Sequence, residues 1–257
     1  MILAIDAGNS NITIGAYAPG SDAPAFTARL QTSRRMTSDQ YAIALSHLAE
    51  LYGYGGQGFT DCIIGSVVSE LTAVLAKAAA LITGVQPLVL APGVKTGLDI
   101  RIDNPAQLGA DLIAAAVGAK NAYPMPCLII DLGTATKISA LGCRGEFLGC
   151  MIAPGIGISL DALAGEASLL PHISLEAPEK AIGTNTVASM RSGIVYGTAA
   201  MLDGMTDRME QELPQPAAAL LGTGGYAEAI LPHCRRDVIL CNDLILSGLR
   251  SILLKNR

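Results

Sequence analysis

Apolar residues in this chain fall into short runs broken by polar, glycine-bearing turns, and these runs alternate with longer stretches of helical spacing. Met1–Ile5 is an unbroken apolar run and reads as a strand, Asp6–Asn11 as a turn and Ile12–Tyr17 as a second strand. The same figure returns half a chain later, with a strand at Cys127–Ile130, a turn, and a strand at Lys137–Leu141. Residues 5–15 (Ile-Asp-Ala-Gly-Asn-Ser-Asn-Ile-Thr-Ile-Gly) and 130–140 (Ile-Asp-Leu-Gly-Thr-Ala-Thr-Lys-Ile-Ser-Ala) both run apolar–Asp–x–Gly–polar into a β-prone segment. A motif repeated at that spacing implies two homologous halves, each opened by a hairpin.

Elsewhere strands and helices alternate. Thr37-Ser-Asp-Gln40 has the form of a capping box and precedes a helical pattern over Tyr41–Leu51. Cys62–Ser66 reads as a strand, Glu70–Ile82 as a helix and Pro87–Leu90 as a strand. Asn104-Pro105 is a helix start, with Pro at the first helical position, and an Ala-rich helix runs from about Ala110 to Lys120. Thr186–Met209 is a long helical pattern, and Ala217–Leu221 and Val238–Leu240 are short strands. This alternation predicts an α/β protein of two similar domains, 1–120 and 121–257, each a mixed sheet flanked by helices.

Composition narrows the class. At 257 residues, 51% hydrophobic and only 15% charged, the chain is far from a disordered composition. It has no Trp, so its core is built from Ala, Leu, Ile and Val. The net charge of −5 argues against a nucleic-acid partner, and the pairs Arg34–Arg35 and Arg235–Arg236 read as solvated surface. None of the six Cys forms a Cys-x-x-Cys pair, so buried free thiols in a reducing cytoplasm are expected. The N-terminus lacks a basic start and Asp6 interrupts its apolar run, so neither a signal peptide nor a membrane span is expected.

The repeated turn carries the candidate chemistry. Gly, Asn, Ser and Thr offer backbone N–H and hydroxyl donors to an anion at close range. A strand-end Asp repels phosphate but can hold Mg²⁺ or its waters. An Asp-x-Gly turn that merely closes a hairpin is the plainer reading of either copy alone. Two copies half a chain apart favour a triphosphate clamped from both sides. A third turn, Gly222-Thr-Gly-Gly225, also fits the spacing of a dinucleotide fingerprint with Asp243 as its acid. Too little chain follows Asp243 to complete that fold, and an approach to adenosine suits the Gly pair better. No Gly-x-x-x-x-Gly-Lys-Ser/Thr occurs, which excludes a P-loop.

Two Asp-Gly hairpins and a late Gly-Gly turn resemble the actin/Hsp70/sugar-kinase superfamily. A narrower match lies in Asp6-Ala-Gly-Asn-Ser-Asn11, Pro92-Gly-Val-Lys-Thr-Gly-Leu98, Asn104-Pro-Ala-Gln-Leu-Gly-Ala-Asp111, Asp131-Leu-Gly-Thr-Ala-Thr136, Pro154-Gly-Ile-Gly-Ile-Ser159, Gly183-Thr-Asn-Thr186, Ser192-Gly-Ile-Val-Tyr-Gly197 and Thr223-Gly-Gly225. In this order they resemble the motifs of type III pantothenate kinases along almost the whole chain. The resemblance implies two ribonuclease-H-like domains with an ATP cleft between them. It implies ATP-dependent phosphorylation of pantothenate, the first step toward coenzyme A, by a cytoplasmic homodimer. It implies Asp111 as catalytic base and Asp6 as organiser of Mg²⁺ and phosphate. ATP contacts would come from Gly8, Asn9, Ser10, Asn11, Thr13, Gly133, Thr134, Thr223, Gly224 and Gly225. Pantothenate contacts would come from Gly109, Ala110, Asp111, Leu112 and Thr186. Asp131 would hold a monovalent cation, K⁺ or NH₄⁺.

The chain also departs from that pattern. Leu112 stands where the family usually has Arg, Ile102 where a Tyr is often found, and Glu166 where Arg is frequent. These changes make the expected substrate pocket less polar. Lys137 replaces a Thr usual after the second phosphate turn, and its ammonium is expected to stand in part for the monovalent cation; a solvent-facing Lys is the plainer alternative. A sugar or polyol kinase of the same superfamily, and a divergent regulatory paralogue such as a transcriptional accessory protein, are the competing functional readings.

Overall fold

The run Ile2–Ile5 has no polar face because the strand that contains it is covered on both sides. In the computed structural model, which describes residues 1–55, 58–167 and 170–257, this strand is β1 (Ile2–Ala7). It pairs antiparallel with β2 (Asn11–Tyr17), which pairs antiparallel with β3 (Phe26–Gln31). On its other edge it pairs parallel with β4 (Asp61–Ser66), followed by β5 (Leu88–Val89). The sheet order is therefore β3-β2-β1-β4-β5. Leu3, Ile5, Ile12, Ile14 and Ile64 pack on one face against helices α1 (Ser38–Leu51) and α2 (Ser69–Thr83). The capping box forms as expected. Gln40 N–H donates to Thr37 Oγ1 (3.3 Å) and Thr37 N–H donates to Gln40 Oε1 (2.9 Å). Asn104-Pro105 opens only a single 3₁₀ turn, Pro105–Gln107; Leu108 is extended, and the Ala-rich helix α3 starts afresh at Ala110 and runs to Ala122.

The second sheet repeats the first strand for strand. β6 (Cys127–Leu132) pairs antiparallel with β7 (Ala135–Leu141), and β7 pairs antiparallel with β8 (Phe147–Pro154). On the other edge β6 pairs parallel with β9 (Ala219–Thr223), followed by β10 (Ile239–Leu240). The order β10-β9-β6-β7-β8 matches that of the first sheet read from its other end. This bears out the expected fold class of two mixed, helix-flanked sheets. Leu128, Ile130, Leu132 and Ile138 form the core of this unit with Ile156 of α4 (Ile156–Glu166), with Ile194, Val195, Ala199 and Leu202 of α5 (Thr186–Gln211), and with Ala227 and Ile230 of α6 (Ala227–Ile230).

The two units are not the two contiguous halves expected. Unit one holds Met1–Leu98, Asp103–Asn121 and Asp243–Arg257; unit two holds Asp99–Ile102 and Ala122–Asn242. The last helix, α7 (Leu244–Lys255), returns to the first sheet because its Leu246, Leu249, Ile252 and Leu253 need an apolar partner. They find it on the open face of that sheet, against Ile2, Ala4, Ile63 and the α3 residues Ala114 and Val117. The helices α3 and α7 cross at small residues. A Cβ at Gly248 would lie 2.7 Å from the Ala114 carbonyl carbon, and Gly118 faces Leu244 and Ser247 as closely.

The pair Arg235–Arg236 is not simple solvated surface, as the sequence suggested, but a clasp on α5. Arg235 reaches the buried Asp203 through its backbone N–H (3.0 Å) and Nε (3.2 Å). Arg236 donates to Glu210 twice, at 2.7 and 3.1 Å. Those hydrogen bonds hold the Glu210 carboxyl below its ordinary value of 4.5. None of the six Cys forms a disulfide, but Cys143 and Cys150 are exposed, so burial holds for only part of the set.

Gly248→Ala is expected to force α3 and α7 apart and to destabilise the protein by about 1–3 kcal/mol, read from chemical denaturation. The clasp predicts a pH effect. A carboxylate held below its unfolded value adds stability above pH 4.5 that disappears as pH falls through the lowered value. Arg236→Met should therefore cost about 1 kcal/mol at pH 7 and flatten the stability loss below pH 4.5 in urea titrations.

Candidate active site

Each central strand carries an acid one residue before its end, and the chain then turns back on itself. In unit one Asp6 is the last polar-capable position of β1, half-buried, in register with Thr13 on β2 and Gly65 on β4. The turn is closed by Gly8 N–H donating to the Asn11 carbonyl (2.9 Å), and Asn9, Ser10 and Asn11 are exposed. Thr32, just past β3, ties this turn down. Its Oγ1 donates to the Gly8 carbonyl (2.7 Å) and its N–H to the Ser10 carbonyl (3.0 Å). Nothing in the sequence distinguishes Thr32, because its partners lie in the β1–β2 turn, more than twenty residues earlier in the chain.

The start of α3 lies over the same end of this sheet. A Cβ at Gly65 would be 3.8 Å from the Ala110 Cβ, and Gly65 is the residue paired with Asp6. Asp111 stands in the first helical turn, where a carboxylate is favoured by the N-terminal helix dipole. Its Oδ1 accepts from the Leu112 N–H at 2.8 Å. Gly109 leaves room for that carboxylate, since a Cβ there would sit 2.5 Å from Asp111 Oδ1. Leu112 is 9% exposed, so its side chain is part of the buried interior of this unit.

In unit two Asp131 takes the position of Asp6. It is in register with Lys137 on β7 and Thr223 on β9. Lys137 Nζ stands 2.7 Å from Asp131 Oδ2, and the two side chains are 13% and 14% exposed. The turn is one residue shorter than the first, closed by Gly133 N–H on the Ala135 carbonyl. Lys137 is thus the structural counterpart of Thr13 rather than of Ile12, as a fixed offset between the halves would give.

Two other motifs gather around this turn. Gly155, at the start of α4, lies so close to the Gly133 and Thr134 carbonyls that no Cβ fits between. Gly224 adopts φ +100°, where glycine is favoured, and rests on the Leu132 backbone. Tyr226 N–H donates to the Leu132 carbonyl at 3.1 Å. Thr223 itself is 3% exposed at the end of β9, leaving Gly224 and Gly225 as the accessible part of that turn. Gly155 and Tyr226 were not among the expected site residues, although Gly155 belongs to one of the quoted motifs.

Thr186 is the first residue of α5, capped by Asn185, whose Oδ1 accepts from the Ala188 N–H (2.9 Å). It lines a cavity of 760 Å³ in unit two with Gly183, Asn185, Met190, Ile194 and Leu163. The preceding loop is strapped to α5 by Ser192, which donates to the Ala181 carbonyl, and Tyr196, which donates to the Pro178 carbonyl, both at 2.5 Å. The two polar residues of the motif Ser192–Gly197, one helical turn apart, thus bond the loop that precedes Gly183 to α5.

Among the described residues no group of three His, Cys, Asp or Glu could hold a metal ion. A divalent ion at Asp6 would have to be held by that carboxylate, waters and substrate phosphates, the usual arrangement for Mg²⁺, so the donor set fits.

The family model for type III pantothenate kinase matches residues 2–208. The chain belongs to the type III pantothenate kinase family. A type III pantothenate kinase of Moorella thermoacetica is 40% identical over 256 residues, covering 100% of both chains. Among solved structures, a Campylobacter jejuni protein described as a Baf-family transcriptional activator superposes with TM-score 0.63 at 18% identity, covering 99% of this chain and 98% of the other. An inorganic polyphosphate/ATP-glucomannokinase of an Arthrobacter species superposes with TM-score 0.52 at 16% identity, covering 99% and 98%. At those identities the two structures speak for the fold alone. No helix among the described residues is long and apolar enough to cross a membrane.

The crowding at Gly109 gives a test of Asp111. The contact is with the free end of a side chain, so Gly109→Ala should turn the Asp111 carboxylate aside and leave the backbone in place. Expected are a roughly 10–100-fold fall in kcat and a nearly unchanged melting temperature, from steady-state kinetics and thermal denaturation.

Proposed function

We propose that this chain transfers the γ-phosphoryl group of ATP to the primary hydroxyl of pantothenate, the step that opens coenzyme A synthesis. The observation that carries the proposal is the duplication. The same acid-tipped hairpin stands at the same place in two sheets of matching order, in a chain that the pantothenate kinase family matches along most of its length. In-line transfer leaves little covalent work for a protein; it needs charge neutralisation, alignment and a proton acceptor.

The turn amides and hydroxyls of Gly8–Asn11 and Thr13, with Gly133, Thr134, Gly224 and Gly225, are read as ATP contacts, Thr223 serving as their buried support. A divalent ion, when bound, would neutralise phosphate charge, and Asp6 would hold it directly or through water. Asp111 would accept the proton of the pantothenate hydroxyl as its oxygen bonds to phosphorus and the bond to the ADP oxygen breaks. Its hydrogen bond from Leu112 N–H and the room left by Gly109 fix the carboxylate for that task. Gly109, Ala110 and Thr186 are read as pantothenate contacts. Leu112 would support Asp111 through its N–H, since its side chain is buried. A cytoplasmic homodimer belongs to the same reading, supported by the exposed Ile152, Ile158 and Ile182 of the second unit, which such a contact would cover.

Asp111→Asn keeps the shape and removes the base. Pantothenate-dependent ADP release should fall about 10²–10⁴-fold with the fold intact by circular dichroism. Undiminished turnover would take Asp111 out of the mechanism.

A further inference from the structure

The two hairpins differ most at one position. Opposite Asp6 the first copy carries Thr13; opposite Asp131 the second carries Lys137. The second acid thus has an ammonium 2.7 Å away on the neighbouring strand, with both side chains largely withdrawn from solvent. Salt screens such a pair far less than a surface pair. A dissolved monovalent ion at the same carboxylate would have to displace a group that is tethered there and loses little freedom by staying. The donor set at Asp131 therefore does not fit the exchangeable monovalent cation that the family resemblance implies.

We infer that the Lys137 ammonium is a built-in monovalent cation for the second phosphate hairpin, and that this chain works without added K⁺ or NH₄⁺. The two acids then divide the charge work. Asp6, in register with a hydroxyl, serves an exchangeable divalent ion, whereas Asp131 carries a fixed positive charge beside the turn Gly133-Thr134. The fixed charge supplies at that turn the neutralisation that a phosphate chain requires. Lys137 acts here as a positioning residue, and its phosphoryl-transfer role rests on the kinase reading above.

The test uses the purified full chain in tetramethylammonium buffer, with or without about 0.1 M KCl or NH₄Cl at constant ionic strength. Wild-type pantothenate-dependent ADP release should change by less than about threefold on adding either salt, and its melting temperature should show no K⁺-specific shift. Lys137→Thr, which restores the residue of the first hairpin, should lose activity in tetramethylammonium and recover it at least about tenfold with K⁺, which should also raise its melting temperature. Wild-type activity stimulated more than about threefold by K⁺, or a wild-type melting temperature raised by K⁺ and not by tetramethylammonium, overturns the inference. So does a folded Lys137→Thr protein indifferent to K⁺ in both readouts. If that variant does not fold, the wild-type arms decide. If the wild type phosphorylates no pantothenate in any buffer, the kinase reading fails by itself, and the melting experiment still decides whether the cation is built in.

Discussion

A strand bonded on both edges and covered on both faces can admit a polar side chain only where it ends. That constraint governs both halves of this molecule. β1 and β6 are the central strands of their sheets, and each runs apolar until an Asp at the carboxyl end. In open α/β sheets ligands bind outside the carboxyl ends of the strands, the end at which both acids stand. The acid's neighbours are set by register: Thr13 and Gly65 in one copy, Lys137 and Thr223 in the other. Much of what surrounds each acid is held relative to its strand end. Thr32 ties the first turn, α3 starts beside Gly65, and Gly155 and Gly224 press on the second turn.

The glycines show how tightly the second strand end is built. Gly155 has carbonyl oxygens where a Cβ would be, and Gly224 has the Leu132 backbone. Neither contact can yield by rotating a side chain, because backbone stands on both sides. Gly109 is of another kind. Its neighbour is a movable carboxylate, so the same residue type preserves the aim of Asp111 rather than the path of the chain. The same residue type therefore makes room for backbone at 155 and 224 and for a movable carboxylate at 109.

What could be read from the sequence was what depends on near neighbours. The two hairpins, the capping box at Thr37–Gln40 and the Ala-rich helix are local patterns, and they form. The acids were legible because each ends an apolar run. The return of α7 to the first sheet was not legible, since its amphipathic face says that it must be covered and not by which sheet. Nor was the clasp of Arg235 and Arg236 on Asp203 and Glu210, because the partners are separated by β9, α6 and a 3₁₀ turn. Leu112, expected to make a substrate pocket less polar, lies buried in α3. Aligning the repeats by a constant offset failed after the turn, because the second hairpin is one residue shorter. Only the ladder reveals that Thr13 and Lys137 are counterparts.

That correspondence bears on why an ion pair largely withdrawn from solvent is present at all. Burying two charges is costly, and a well-packed apolar pair in their place is often as stable or more so. Stability is therefore a weak reason for Lys137 and Asp131 to face each other across β6 and β7. The rest of both strands is apolar wherever it is buried, save for hydroxyls such as Thr136 and Ser139, so the fold does not require charge in this sheet. The pair stands at the one level of the strand where the chain turns and backbone amides become available to an anion. A charge pair kept there, and nowhere else in the hairpin, is better explained by what the turn must bind than by what the sheet must hold together.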